Sequence, residues 1–406
     1  MKTSEKYGII FLLLYSFGSA FGQETDIQYT KSNSIQILSP KINGNHPLGI
    51  YLMRLESEFR TQPIAKKRLN IQLSSANVWE PLVTAYKPLL ESDREILDQI
   101  RWHEREFSFD YLSIPTEKLQ LHADAVIKGL HLSYLTPLTG NQEIEINLRS
   151  YLFTNGKIPF AFLSSDKFIE SFHSNIAGGE DPFARKYYGM DKTEIRYVDE
   201  KGKSIQKQRN DFVIPGIEMH YRYFIPSKFL NAQNFYINLG AHLGKNTSTY
   251  NPSSDFGVSS VFIKQIKLNQ DRILQLATGN SFTIPHFVIW REMVNITNHK
   301  LIFTIDWQLS YQVLKSTQKK LEWAVNYHHQ SPYQNPKGLK GIVLSGERIS
   351  SHWHYALSHL YENLTVWSFI FNYATPTYAI SFYLSEDIKV NNAPDIQTGV
   401  QLSFPF

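Results

Sequence analysis

Phe303, Thr304, Ile305, Asp306, Trp307, Gln308, Leu309, Ser310, Tyr311 and Gln312 alternate without a break between apolar and polar side chains. A strand turns successive side chains to opposite faces. Phe303, Ile305, Trp307, Leu309 and Tyr311 therefore share one face, and Thr304, Asp306, Gln308, Ser310 and Gln312 the other. The same period sets Ile144, Ile146 and Leu148 against Glu143, Glu145, Asn147 and Arg149. It sets Ile237, Leu239 and Ala241 against Asn238, Gly240 and His242, and Leu321, Trp323, Val325 and Tyr327 against Glu322, Ala324, Asn326 and His328. Near the end, Tyr378, Ile380, Phe382 and Leu384 oppose Ala379, Ser381, Tyr383 and Ser385. The runs are about ten residues long, which is what a tilted strand needs to cross the hydrocarbon of a bilayer. A soluble sandwich uses strands of about five or six residues. The pattern predicts an all-β, antiparallel transmembrane β-barrel of roughly twelve strands. The alternative is a soluble ligand-binding β-sandwich, with the apolar faces turned to a shared core.

Composition agrees with either all-β architecture. Aromatics reach 14%, with 23 Tyr, 26 Phe and 7 Trp, while charged residues are only 19%. Aromatic girdles at a lipid–water boundary use such side chains, and so do soluble strands. A net charge of +4 is too mild, and too evenly spread, for nucleic acid. With no cysteine there is no disulfide, thiolate metal site, cysteine nucleophile or lipoprotein anchor.

The chain opens with Lys2 and Lys6, an apolar run over residues 9–17, and small residues at Ala20 and Gly22. This is the pattern of a signal peptide over residues 1–22, cut after Gly22, in a secreted protein of a Gram-negative bacterium. No later stretch is long and apolar enough for a spanning helix, so a membrane location would require a barrel. Residues 23–66 read as an irregular segment, with Pro40, Asn43, Gly44, Asn45, Pro47 and Pro63. Residues 67–406 carry the alternation and form the predicted barrel. Turn signals separate its strands at 139–141, 155–156, 247–254, 269–271, 316–319, 331–338 and 391–394. Val400, Leu402, Phe404 and Phe406 share one face of the last strand. A terminal strand that ends on Phe resembles the signal read by the barrel assembly machinery. Pro405 departs from it, since proline cannot donate to a ladder. Outer-membrane lipid and that machinery are the expected partners, and the cell outer membrane the expected location.

One segment has helical spacing. Phe168, Ile169, Phe172 and Ile176 fall on one face behind Ser165 and Asp166, and Gly178-Gly179 follows. It predicts a short amphipathic helix outside the wall or at a barrel mouth. Here the sequence resembles a bacterial family known as domain of unknown function 3187. The stretch Phe168-Ile169-Glu170-Ser171-Phe172-His173 with Gly178-Gly179 carries the likeness, with Ser171 where the family usually has glycine. Asn45-His46-Pro47-Leu48, Ser331-Pro332-Tyr333, Glu386-Asp387 and Pro394-Asp395 add to it. The resemblance implies an outer-membrane barrel and no particular chemistry.

Candidate chemistry is sparse. His173-Ser174-Asn175 contains the residue types of a lipase-like hydrolase, but adjacent side chains diverge on a helix and oppose on a strand. His352 and His354 share a strand face, as metal ligands can, with Glu347 nearby; His328-His329 and His359 complete the histidines of this region. Exposed histidines near a strand edge would look the same. Glu143, Glu145 and Arg149 share a polar face and read first as bracing inside a narrow lumen, and second as acid–base groups. Asp306, Gln308 and Glu322 are further lumen-lining candidates. No phosphate loop, dinucleotide fingerprint or zincin helix is present, and no cofactor is expected. The sequence thus points to an outer-membrane barrel that is structural or passes a small solute. A membrane-embedded hydrolase is the alternative enzyme.

Overall fold

The alternating stretch of residues 303–312 sits in one strand, Ile302–Ser316, and its neighbours on both sides are antiparallel. The computed structural model describes residues 37–41, 46–138, 140–157, 163–175, 186, 189–316, 319–346, 359–386 and 396–406. The strands are β1 Arg68–Pro88, β2 Thr116–Pro137, β3 Gln142–Thr154, β4 Glu194–Val198, β5 Ser204–Gln208, β6 Phe212–Phe224, β7 Phe235–Asn246 and β8 Ser253–Lys267. They continue as β9 Arg272–Ile289, β10 Ile302–Ser316, β11 Lys319–Gln330, β12 Val343–Gly346, β13 Leu364–Ala374, β14 Ala379–Glu386 and β15 Ile396–Pro405.

Twelve of these close a ring in the order β1, β2, β3, β6, β7, β8, β9, β10, β11, β13, β14, β15, with β15 returning to β1. Closure runs from Arg68 opposite Pro405 to Ala76 opposite Gln397. The backbone ladder resumes past the proline, because the Phe406 N–H donates to the Lys67 carbonyl at 3.0 Å. The structure is a closed barrel, so the sandwich alternative is set aside. Pairs β4–β5 and β12 extend the long upper ends of β2 and β1. Those two strands run 21 and 22 residues, twice the length expected from the sequence.

The connections differ at the two ends. Beside the chain termini lie the short turns β2–β3, β6–β7, β8–β9, β10–β11 and β13–β14. The opposite end carries the longer connections, including β1–β2 with helix α1 (Glu91–Gln99), β3–β6 and β11–β13. These are called here the turn end and the loop end.

The apolar faces look outward. Trp307 is 55% and Phe369 58% exposed, whereas Asp306 and Gln308 between them on β10 are buried. Outer aromatic rings lie against each other across strands, Trp307 with Tyr327 and Tyr327 with Trp367. No helix among the described residues is long and apolar enough to cross a membrane. An outward-apolar wall with an inward-polar lining is the inversion that lipid requires.

The irregular segment has a defined place: inside the ring. Ile37 packs against Ala374 and Ala379 at the turn end, and Leu38 against Ile64 and Leu135. The Lys41 N–H donates to Gln72 Oε1 at 2.6 Å. A 3₁₀ turn, Pro47–Tyr51, forms the apex, with the Leu48 N–H donating to His46 Nδ1. The chain then descends past Asp255, Asp306 and Glu143 to Arg68, where β1 begins. At the apex the inversion itself is reversed. Leu48, Ile50, Tyr51 and Leu52 join Val78, Leu121, Tyr197, Ile296, Tyr333 and Leu360 in a dry apolar cluster under the long loops. Each such side chain contributes about 1.5–3 kcal/mol by leaving water.

The predicted helix is present as α2, Asp166–Asn175. Ser165 Oγ accepts from the Phe168 N–H at 3.3 Å and caps it. Its approach lies on the outer face of the wall. On β1, Ser74 belongs to the inner face, where the Tyr383 phenol reaches it, so Ser75 and Asn77 alternate outward. Ser75 Oγ meets Ser164 Oγ, and Asn77 Nδ2 donates to Ser164 O and Asp166 Oδ1, both at 2.9 Å. Lys128, opposite Ser75 on β2, donates from Nζ to Ser75 Oγ at 2.6 Å. A polar patch on the outer wall is thus roofed by the β3–β6 connection. Gly178-Gly179, the signal peptide and the turn at 391–394 lie outside the described residues.

Candidate functional site

The lumen holds the concentrated polar chemistry. Along the descending limb, odd-numbered residues face the β7–β10 wall and even-numbered residues face the opposite side. Met53, Leu55 and Ser57 rest on Gly244, Gly257 and Gly279. A Cβ at Gly257 would lie 2.6 Å from Leu55 Cδ1, one at Gly244 would lie 2.9 Å from Met53 Cβ, and one at Gly279 would overlap Ser57. Three glycines on neighbouring strands thus carve the groove that admits the limb, as glycine does where backbones must approach closely.

The even-numbered residues carry charge. Arg60 grips Glu143 with both terminal nitrogens, Nη1 donating to Oε2 at 2.8 Å. Glu143 Oε2 also accepts from the Ile64 N–H at 3.0 Å, and Arg222 Nη1 approaches its Oε1 at 3.4 Å. Arg222 Nη2 donates to Glu145 Oε2 at 2.8 Å. Lys41 lies 3.4 Å from Glu145, 3.7 Å from Glu58 and 3.9 Å from Glu56. Arg149 pairs with Glu218 at 2.9 Å and donates from Nη1 to the Ile50 carbonyl at 3.0 Å. Wall strands β3 and β6 are therefore tied to both limbs of the inner segment. Buried charges persist only when paired in this way.

The sequence candidates fall as follows. Glu143, Glu145 and Arg149 are all in this network, and Asp306, Gln308 and Glu322 are buried on inner faces. Asp306 accepts from Ser57 Oγ on Oδ2 and from His328 Nδ1 on Oδ1, both at 2.7 Å. Serine and histidine both bind the carboxylate here, so the histidine does not activate the hydroxyl and the three are not a nucleophilic triad. Ser174 Oγ donates to the Glu170 carbonyl at 2.7 Å within α2, and the His173 side chain lies outside the described residues. His352, His354 and Glu347 also lie outside them. His359 donates from Nδ1 to Glu80 Oε1 at 2.7 Å. His220 and His242 face each other at 2.9 Å, Nδ1 to Nδ1. Among the described residues no group of three or more His, Asp or Glu converges as a metal site.

Sequence reasoning missed Lys41, Arg54, Glu56, Glu58 and Arg60. They stand in a stretch without periodicity, and only their charge, beside apolar Leu52, Met53, Leu55 and Phe59, hinted at burial. Beyond the wall, burial raises the Tyr197 phenol well above its usual range, and its hydroxyl donates to the Asn295 carbonyl at 2.7 Å.

Fold and lumen together define a class: an outer-membrane type β-barrel of twelve strands, filled by its own N-terminal limb. No family model and no curated protein matches the chain. Among solved structures it is similar to the β domain of the Bordetella autotransporter BrkA, at 7% identity over 84% of this chain and 100% of the other, with a TM-score of 0.37. It is also similar to the NanC porin, at 6% identity over 69% and 93% with a TM-score of 0.33. A third is a Pseudomonas aeruginosa FadL homologue, at 8% identity over 84% and 91% with a TM-score of 0.31. At such identities no residue role transfers to this chain.

Proposed function

We propose that the protein is an outer-membrane barrel that passes a small polar solute only when its inner limb shifts, and that it stands closed at rest. The observation that carries this reading is the double tether of the limb. Its apex is held by a dry apolar cap and its shaft by ion pairs and a glycine groove. Ion pairs and backbone contacts can be exchanged for water or solute, whereas a fully apolar plug would be permanent. The turn end is the periplasmic side in this reading, because outer-membrane barrels place short turns there and long loops outside. Lipid meets the aromatic wall, and the assembly machinery reads β15, whose Phe404 and Phe406 are outward and exposed.

Membership in the domain of unknown function 3187 family belongs to the same proposal. Two of its short motifs meet at the apex: Tyr333 of Ser331-Pro332-Tyr333 lies edge-on to His46 and covers Gly49, beside Pro47 and Leu48. The test is cell fractionation with a paired transport assay. The protein should stay in the membrane pellet through a carbonate wash and migrate differently on gels before and after boiling. Liposomes bearing it should admit small sugars only in the Arg60→Met variant. Release by carbonate, or equal uptake with the unmodified chain, would refute the proposal.

A further inference from the structure

The lumen contains a set of buried polar atoms that the tether does not use. All three guanidinium nitrogens of Arg54 are buried without a hydrogen-bond partner, and their one ion pair runs from Nε to Glu56 at 3.5 Å. Arg54 faces away from the glycine groove and lies within coulombic reach of Asp306, His328, Tyr333 and Tyr383. His328 is 1% exposed, and its Nε2 has no partner. Gln330, two residues on along the same face of β11, also presents a buried Nε2 without a partner. The space near them is not solid: Gln308 and Asn326, one pair along the β10–β11 ladder, keep 8% and 7% exposure deep inside the ring. Buried polar atoms that nothing in the protein satisfies mark a place where something else does.

The chemistry of the three groups is specific. Arg54 offers a planar fork for two oxygens of an anion, and the Gln330 amide offers a further donor. His328 gives its Nδ1–H to the Asp306 carboxylate, which leaves Nε2 of the neutral ring as an acceptor. An anion without hydrogen would leave that acceptor unmet. We infer that Arg54, His328 and Gln330 form a lumenal site for a small oxyanion that still carries a hydroxyl, of which hydrogenphosphate is the simplest. The inference deepens the passage reading by naming the solute class. Binding is measured on the closed, resting protein, so failure to bind and failure to conduct are separate results.

The experiment is calorimetric titration of the folded full chain in detergent with inorganic phosphate and, separately, with sulfate, which has no hydroxyl at neutral pH. Phosphate should bind one to one and at least about tenfold more tightly than sulfate, because a site built to pair with a hydroxyl rejects the analogue lacking it. Arg54→Met should abolish binding, and Arg54→Lys, a milder change, should weaken it about tenfold by removing the fork. His328→Phe should erase the preference for phosphate while leaving weak binding of both anions. Folding of each variant is checked by its gel shift on boiling. Absence of phosphate binding to the unmodified protein, equal affinity for sulfate, or undiminished binding in a folded Arg54 variant would overturn the assignment.

Discussion

Glu143 meets Arg60, Arg222 and the Ile64 N–H while wholly buried. Glu143→Gln leaves two guanidinium groups short of counter-charge in a dry place, and breaking such a pair from one side costs about 3–5 kcal/mol. Urea unfolding of the detergent-solubilised protein should register that loss; a change under about 1 kcal/mol, the size of an exposed ion pair, would mean the network is solvated. Gly257 makes a different point. Its missing side chain is what admits Leu55, so Gly257→Val should push the descending limb off the wall. Trypsin should then cut after Arg54 or Arg60 in the variant while sparing both in the unmodified chain. Equal protection of the two proteins would show that the groove does not hold the limb.

Among the elements, the strands were the legible part. Alternation located β10, β11, β14 and the start of β1, because lipid on one side and a polar lumen on the other impose a period of two. The upper halves of β1 and β2 were not legible as extensions. Above Ala76 the inner face becomes apolar, with Val78, Val83 and Leu121 under the cap, so inside and outside lose their contrast. The inner limb escaped for a related reason: it is neither strand nor helix, and its partners are as far away in sequence as Asp306 and Asp255. Glu143 and Glu145 could be assigned to the lumen from their strand, but their partners Arg60 and Lys41 could not. Helix α2 was legible from its spacing and cap, though the polar patch it helps to roof was not. Since the chain has no cysteine, a Ser75→Cys/Ser164→Cys pair offers a clean test of that roof. Mild oxidation should join them, seen as a reducible shift in gel mobility, because the parent hydroxyls touch. No cross-link in the folded protein would place the connection elsewhere.

At the scale of the whole molecule, the barrel combines two kinds of interior. Toward the turn end, paired charges line the ring and clasp the limb; toward the loop end, an apolar core like that of a soluble protein seals it. The seal and the clasp act in series, so loosening one alone leaves the other in place. Glu143→Gln combined with Gly257→Val should therefore raise solute passage more than either change alone, since both act on the same limb and their effects couple. The most direct measurement is the electrical conductance of the unmodified full chain inserted in a planar lipid bilayer. The expected result is a protein that inserts yet carries no steady current, with brief openings at most. A stable, ohmic conductance from every inserted molecule would contradict a lumen closed by its own N-terminal limb.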